Sequence, residues 1–377
     1  MKTVREIPTL ENIPVLVRAS LNVPVKEGKV VNTFRLRAAL PTIEYLRKKH
    51  ARIILISHIS GKETSTLEPM CRALQEFIPD VAFCPVTTGK EAREAVRTLR
   101  PGGVLMLENL RRNPGEETND PAFAAELAEL ADVFVQDTFD VCHRRHAGVV
   151  GVAKLLPSYA GYLVEAEVQE LSKALRPAHP ALAIISGAKF ATKQPVIKRL
   201  LSLYDHVFVG GALANDFIKA KGLPVGASLV GSGMEEEIAA LLKDPRVVVP
   251  VDGVVAPFGA LRSEGRLSDL RDTKDNEAIL DVGPKTIEAL HELISRAKTV
   301  LWNGPLGNYE NGFVEGTEGL AQVIAGASTH SIIGGGDTIA AIESLKLAGR
   351  FSFISTGGGA MLDFLAEGSL PGIDVLS

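Results

Sequence analysis

IIGGGDT at 332–338 and ISTGGGA at 354–360 decide the fold. Each begins with β-branched apolar residues, passes through a glycine triplet and runs into apolar residues at helical spacing, which reads as strand, tight turn and helix. IISGAK (184–189) and VFVGGA (207–212) repeat the unit upstream. Such a turn brings bare backbone N–H groups and a helix N-terminus to the C-terminal edge of a sheet, a place that attracts phosphate. A single turn of this kind has an ordinary reading, because glycine serves strand-to-helix turns for backbone reasons alone. Four on one sheet point to a nucleotide site.

Outward from these turns, short Val- and Ile-rich runs alternate with helical patterns along the whole chain. Strands are expected at 181–185, 206–209, 247–251, 299–302, 331–333 and 351–354, with helices between them. In the first half strands are expected at 15–17, 52–57, 81–85, 104–107 and 133–135, separated by helical stretches at 34–49, 67–78, 91–99 and 122–130. Alternation of this length implies parallel sheets covered by helices on both faces. Eleven strands are many for one open sheet, so two doubly wound, Rossmann-like α/β domains are expected. VEAEVQELSKAL (164–175) is charged and helical and sits between the halves as a connecting helix.

The 377 residues are enough for about two domains, and 46% hydrophobic with 23% charged residues is a globular profile. The net charge of −4 speaks against a nucleic-acid partner. Cys71, Cys84 and Cys142 have no C-x-x-C spacing, which fits a reducing, cytoplasmic setting and no disulfide scaffold. The first twenty residues hold no apolar secretory core. The uncharged run 319–336 is broken by Gln322, Ser328, His330 and glycines, so no membrane span is expected. Charge is uneven, however. Residues 1–160 carry 22 Lys and Arg against 19 Asp and Glu, and 14 of those cations are Arg, the side chain suited to gripping phosphate and carboxylate.

Neither G-x-x-x-x-G-K-[ST] nor G-x-G-x-x-G occurs, which excludes a P-loop NTPase and a standard dinucleotide dehydrogenase. Lys189 and Lys193 fall at a strand end and a helix start, where cations oppose the helix dipole unless an anion is present; two solvated lysines are the plain alternative. In the first half, Arg18 and Asn22, Arg35, His58, Arg111 and Arg112, and the run His143-Arg144-Arg145-His146 follow successive strands. In a parallel sheet these loops converge at one edge and build a cationic cup for an anion. His143 and His146 lack a cysteine or carboxylate partner at ligand spacing, so they do not read as a metal site.

The chain resembles the phosphoglycerate kinase family over nearly its whole length. The match rests on VLVRASLNVP (15–24), RLRAALPTI (35–43), SHIS (57–60), ENLR (108–111), HRRHA (143–147), LPSYAGYLVEAE (156–167), SGAKFATK (186–193), DVGPKTIE (281–288), LWNGPLGNYE (301–310), GGGDT (334–338) and STGGGA (355–360). The resemblance implies a triose-binding domain at 1–163, a hinge helix at 164–176, a nucleotide-binding domain at 177–366 and a segment at 367–377 that returns to the first domain. The implied reaction is reversible phosphoryl transfer between 1,3-bisphosphoglycerate and MgADP, giving 3-phosphoglycerate and MgATP, in a cytoplasmic, monomeric glycolytic enzyme. Ser20, Asn22, Arg35, His58, Lys62, Arg111 and Arg144 would hold the triose. Gly187, Ala188, Lys193, Gly211, Asn303, Pro305, Glu310, Gly335, Gly336, Asp337 and Thr338 would hold the nucleotide, with Asp337 meeting Mg²⁺. Arg35, Lys189, Gly336 and Gly359 would act on the transferring group. An acyl phosphate is already activated, so catalysis would be alignment and charge neutralisation once the two domains close on their substrates.

The departures lie mostly in the triose half. Ser20 stands where the family motif has an acidic ligand, Ser60-Gly61 stands for Gly-Arg with Lys62 one place on, Gln136 stands for an Asn and Asp140 for a Gly. In the second half Thr192 stands for an acidic residue and Met361 for a small polar one. A second reading is therefore a nucleotide-binding homologue of weak or altered activity.

Overall fold

The computed structural model describes residues 1–59 and 65–376, which form two compact units. Met1–Gln169 with Ser369–Ser377 make the first, and Glu170–Gly368 the second.

The first unit is built on six parallel strands: β1 (Pro14–Ala19), β2 (Arg52–Ile56), β3 (Val81–Cys84), β4 (Val104–Leu107), β5 (Val133–Asp137) and β6 (Ser158–Ala160). Their order across the sheet is β3-β4-β2-β1-β5-β6. From β1 the chain winds one way to β2 and then back past it to β5, so the winding reverses between β1 and β5. Open parallel sheets bind ligands in the crevice that such a reversal leaves at the carboxyl ends of the strands. Strand residues on both faces are buried, as sheets covered on both sides require, and they divide into two apolar clusters, one per face. Helix α1 (Phe34–Lys48) covers one face with Leu36, Ala39, Ile43 and Leu46 buried, an i, i+3, i+7, i+10 stripe.

Helix α2 (Tyr162–Ala174) follows and leads into the second unit. Its parallel strands are β7 (Ala181–Ser186), β8 (His206–Gly210), β9 (Val247–Val248), β13 (Thr299–Asn303), β14 (His330–Gly334) and β15 (Phe353–Ile354). They are ordered β9-β8-β7-β13-β14-β15, with the reversal between β7 and β13. Trp302 on β13 is wholly buried and anchors the core, its indole N–H donating to the carbonyl of Gly304 at 2.8 Å. Helices α3 (Gln194–Leu201), α4 (Leu213–Ala220), α5 (Gly336–Ser344) and α6 (Gly358–Glu367) follow β7, β8, β14 and β15.

The α/β class and the two Rossmann-like parallel sheets agree with expectation. Several local features do not: the strand at 158–160 was not expected, and 351–354 pairs only at Phe353–Ile354. Residues 247–251, read as one strand, pair only at Val247–Val248, because Pro250 has no N–H to donate. A separate antiparallel sheet then intervenes, β11-β10-β12, from β10 (Asp252–Pro257), β11 (Arg266–Asp269) and β12 (Glu277–Val282). Its strands carry no period-2 signal: burial runs through consecutive residues of β10 and through both ends of β12. No helix among the described residues is long and apolar enough to cross a membrane.

Candidate active site

At the reversal of the first sheet, Ala19 pairs with Asp137, so the chain leaves β1 and β5 from adjacent points. Ser20 and Asp140 meet there: the Ser20 hydroxyl donates to the Asp140 carboxylate at 2.8 Å, and the Thr138 hydroxyl donates to the same oxygen at 2.6 Å. Arg35, from the first turn of α1, lies 3.4 Å from the other Asp140 oxygen and donates to the Asn22 carbonyl at 2.7 Å. Burial acts to raise the Asp140 carboxyl, but Arg35, His58 and the two hydroxyls outweigh it and hold it below its ordinary value.

Beneath this cup lies a buried charge pair. Arg18 of β1 is wholly buried, 3.1 Å from the equally buried Glu116, and its Nη2 is 3.3 Å from His58 Nδ1. Burial and the neighbouring Arg18 push the His58 imidazole well below its usual range, so it is neutral at physiological pH. Glu116 also accepts from the Gly148 N–H at 2.8 Å. Arg111 is held at its backbone by Asn109, and its guanidinium lies 3.0 Å from Glu117; Arg144 is exposed in the loop after β5. Ser20, Asn22, Arg35, His58, Arg111 and Arg144 thus all belong to the loops at the carboxyl ends of this sheet. Lys62 lies outside the described residues, as do Ser60 and Gly61. Thr138 and Glu116 carry no motif that would have marked them in advance.

In the second sheet Asn303 pairs with Ile185 on one side and Gly334 on the other, so three turns leave adjacent strand ends. They border a cavity of about 310 Å³, within the range of small-ligand sites. Gly187, Ala188, Gly211, Pro305, Glu310 and Asp337 line it, together with Asn215, Leu229, Phe258, Leu280 and Asp281. Asn215, Leu229, Phe258 and Leu280 escaped the sequence reading because α4, the segment after it and the antiparallel sheet bring them in, and Asp281 was read only as the start of DVGPKTIE. The walls are mostly apolar, suited to a base and ribose. The turns must be glycine where they crowd: Gly304 has φ +97° and a Cβ there would lie 2.6 Å from the Ser186 carbonyl oxygen.

Gly335, at φ +107°, caps α5, and Gly357 caps α6; neither helix start has a side-chain cap, so their first N–H groups are left for an anionic ligand. Gly336, Asp337 and Thr338 form the first turn of α5, and the Thr338 hydroxyl is buried with no hydrogen-bond partner among the described residues. Gly359 lies in the exposed first turn of α6. Asn303 stands between the two triplets and donates to the Gly358 carbonyl at 3.3 Å. Lys189 is exposed just beyond β7, and Lys193 is half-buried with its ammonium lowered by burial, against the pull of Asp363. Burial, and then Glu310, raise the Asp337 carboxyl. A carboxylate raised by a second acid suits a hard cation. Among the described residues no three His, Cys, Asp or Glu are placed to cage a metal, so a cation here would draw its other ligands from water or a bound anion.

One chain thus carries a glycine-lined cavity at the switch point of one parallel sheet and an arginine-bearing cup at the switch point of another. The family model of phosphoglycerate kinase matches residues 4–368, and the chain belongs to that family. A phosphoglycerate kinase of Thermomicrobium roseum is 43% identical over 389 residues, covering 100% of this chain and 99% of its own. One of Moorella thermoacetica is 42% identical, covering 98% and 97%. Among solved structures, phosphoglycerate kinase from Coxiella burnetii has a TM-score of 0.83 at 35% identity, over 99% of this chain and 98% of its own. That from Pyrococcus horikoshii OT3 has 0.89 at 30%, over 100% and 98%.

Proposed function

We propose that the chain catalyses reversible phosphoryl transfer between 1,3-bisphosphoglycerate and MgADP, giving 3-phosphoglycerate and MgATP. The observation that carries this reading is the pair of switch-point sites, one ringed by Arg35, His58, Arg111 and Arg144, the other lined by glycine turns and helix starts. Asn22, Arg35, His58, Arg111 and Arg144 hold the acid and its phosphate. Gly187, Ala188, Gly211, Pro305 and Glu310 hold the nucleoside, and Lys193, Gly335, Gly336 and Thr338 its phosphates. Asp337 fits as the protein ligand of Mg²⁺, which when bound with nucleotide neutralises phosphate charge. Residues 1–163 serve the acid and residues 177–366 the nucleotide, linked by 164–176, with 367–377 returning to the first domain.

The leaving carboxylate of an acyl phosphate needs no protein nucleophile, so the chemistry rests on position and charge. Arg35 and Lys189 neutralise the equatorial oxygens of the transferring group, aided by the N–H groups at Gly336 and Gly359; one well-placed donor of this type is worth about 3–4 kcal/mol. His58, kept neutral above Arg18, donates or accepts a hydrogen bond without adding charge. The enzyme works in the cytoplasm as a monomer, a setting in keeping with three buried free cysteines. A coupled assay with 3-phosphoglycerate and MgATP tests the reading, and absence of turnover at millimolar substrate overturns it.

A further inference from the structure

Position 20 carries no charge, yet the crevice at the first switch point is not without a carboxylate. Asp140 supplies one from the neighbouring strand end. Its side chain is only 6% exposed, and three partners surround it: Ser20 and Thr138 as hydroxyl donors and Arg35 as counter-ion. A solvated surface acid has no use for such an assembly. Two hydroxyls donating to one oxygen fix the carboxylate's orientation, while the second oxygen, 3.4 Å from the Arg35 guanidinium, is too far for a close ion pair and keeps acceptor capacity. The other charged groups around the crevice are the cations Arg35, Arg111, Arg144 and, below, Arg18, with Glu116 set against Arg18 at 3.1 Å and Glu117 against Arg111 at 3.0 Å. Cations bind the anionic ends of a phosphorylated acid. None of these cations accepts a hydrogen bond, and the free Asp140 oxygen offers a substrate hydroxyl a charged acceptor beside them, stronger than the neutral His58 ring.

We propose that Asp140 is the hydroxyl-reading residue of the acid site, with Ser20 serving to orient it, so that the carboxylate the motif expects at position 20 is supplied instead from position 140, where the motif expects a glycine. The inference rests on the phosphoglycerate kinase reading and names the residue that gives that site its preference for a 2-hydroxy acid. Asp140 determines specificity; it takes no part in the transfer itself.

The test compares 3-phosphoglycerate with the analogue lacking the 2-hydroxyl, in the full-length wild type and in D140N, D140G and S20D/D140G. Loss of one charged acceptor is expected to cost about 10- to 100-fold in kcat/KM for the hydroxylated substrate. The same variants should use the deoxy analogue nearly as well as wild type, so that hydroxyl discrimination collapses while KM for ATP holds. S20D/D140G, which returns the carboxylate to the β1 side, should recover most of the discrimination lost in D140G. Unchanged ATP binding separates this result from misfolding, and if D140N fails to fold, the D140G and S20D/D140G pair decides alone. Full discrimination surviving in D140N or D140G overturns the inference and leaves the kinase reading standing. Absence of turnover and of 3-phosphoglycerate binding in wild type overturns both.

Discussion

Lys189 and Asp281 show how single side chains divide between chemistry and stability. Lys189 is exposed at the turn after β7, the position from which the proposed reading has it act on the transferring group. Lys189→Ala is expected to lower kcat by about 10²–10³ while nucleotide affinity changes far less, since the lost donor acts on the transferring group. Equal losses in both quantities, measured by steady-state kinetics and calorimetry, would contradict that role. Asp281 is buried at the cavity wall, accepting from the N–H groups of Gly316 at 2.9 Å and Val282 at 2.8 Å, and burial lifts its carboxyl from 3.8 to about 7. Its folded value lies above its unfolded one, so the stability it contributes is whole below pH 4 and is lost as pH rises through 7. Asp281→Asn cannot ionise, so relative to wild type it should gain on the order of 1–2 kcal/mol between pH 5 and pH 8 in urea unfolding. A difference independent of pH would refute this.

At the scale of elements, the strand-turn-helix units concentrate what a reader of the sequence can see. β-branched runs, glycine triplets and 3.6-residue periodicity are local signals, and the strands and helices that border both crevices follow from them. The antiparallel sheet β10–β12 was invisible for a matching reason: its strands mix Asp, Glu and Arg with apolar residues, and only pairing with one another makes them strands. The turns themselves have testable geometry. Gly335 sits at φ +107°, and an added Cβ would meet the Gly304 N–H nitrogen at 3.2 Å and the Thr338 hydroxyl at 3.3 Å. Gly335→Ala should therefore cost about 1–3 kcal/mol in backbone strain and weaken ATP binding by tilting the start of α5. A variant with wild-type melting temperature and wild-type KM for ATP would show that the turn tolerates a side chain.

Across the whole molecule, two units with separate cores and separate switch points predict separate ligand footprints. In hydrogen exchange, ADP with Mg²⁺ is expected to protect 304–310 and 335–339, and 3-phosphoglycerate to protect 19–22 and 137–147. A ligand protecting the other unit's turns instead would reverse the assignment of substrates. At this scale the division between sequence and structure is sharp. The order of apolar runs and glycine turns determined two parallel-sheet units, a nucleotide-type edge in one and an arginine-rich edge in the other, because each of those signals lies within a dozen consecutive residues. That Ser20 lies against Asp140, 120 positions away, was decided only by the register of β1 on β5, which no local pattern encodes. The same holds for the seating of Asn215, Leu229 and Phe258 around the cavity: side chains distant along the chain become neighbours through packing, and packing is set by the fold as a whole.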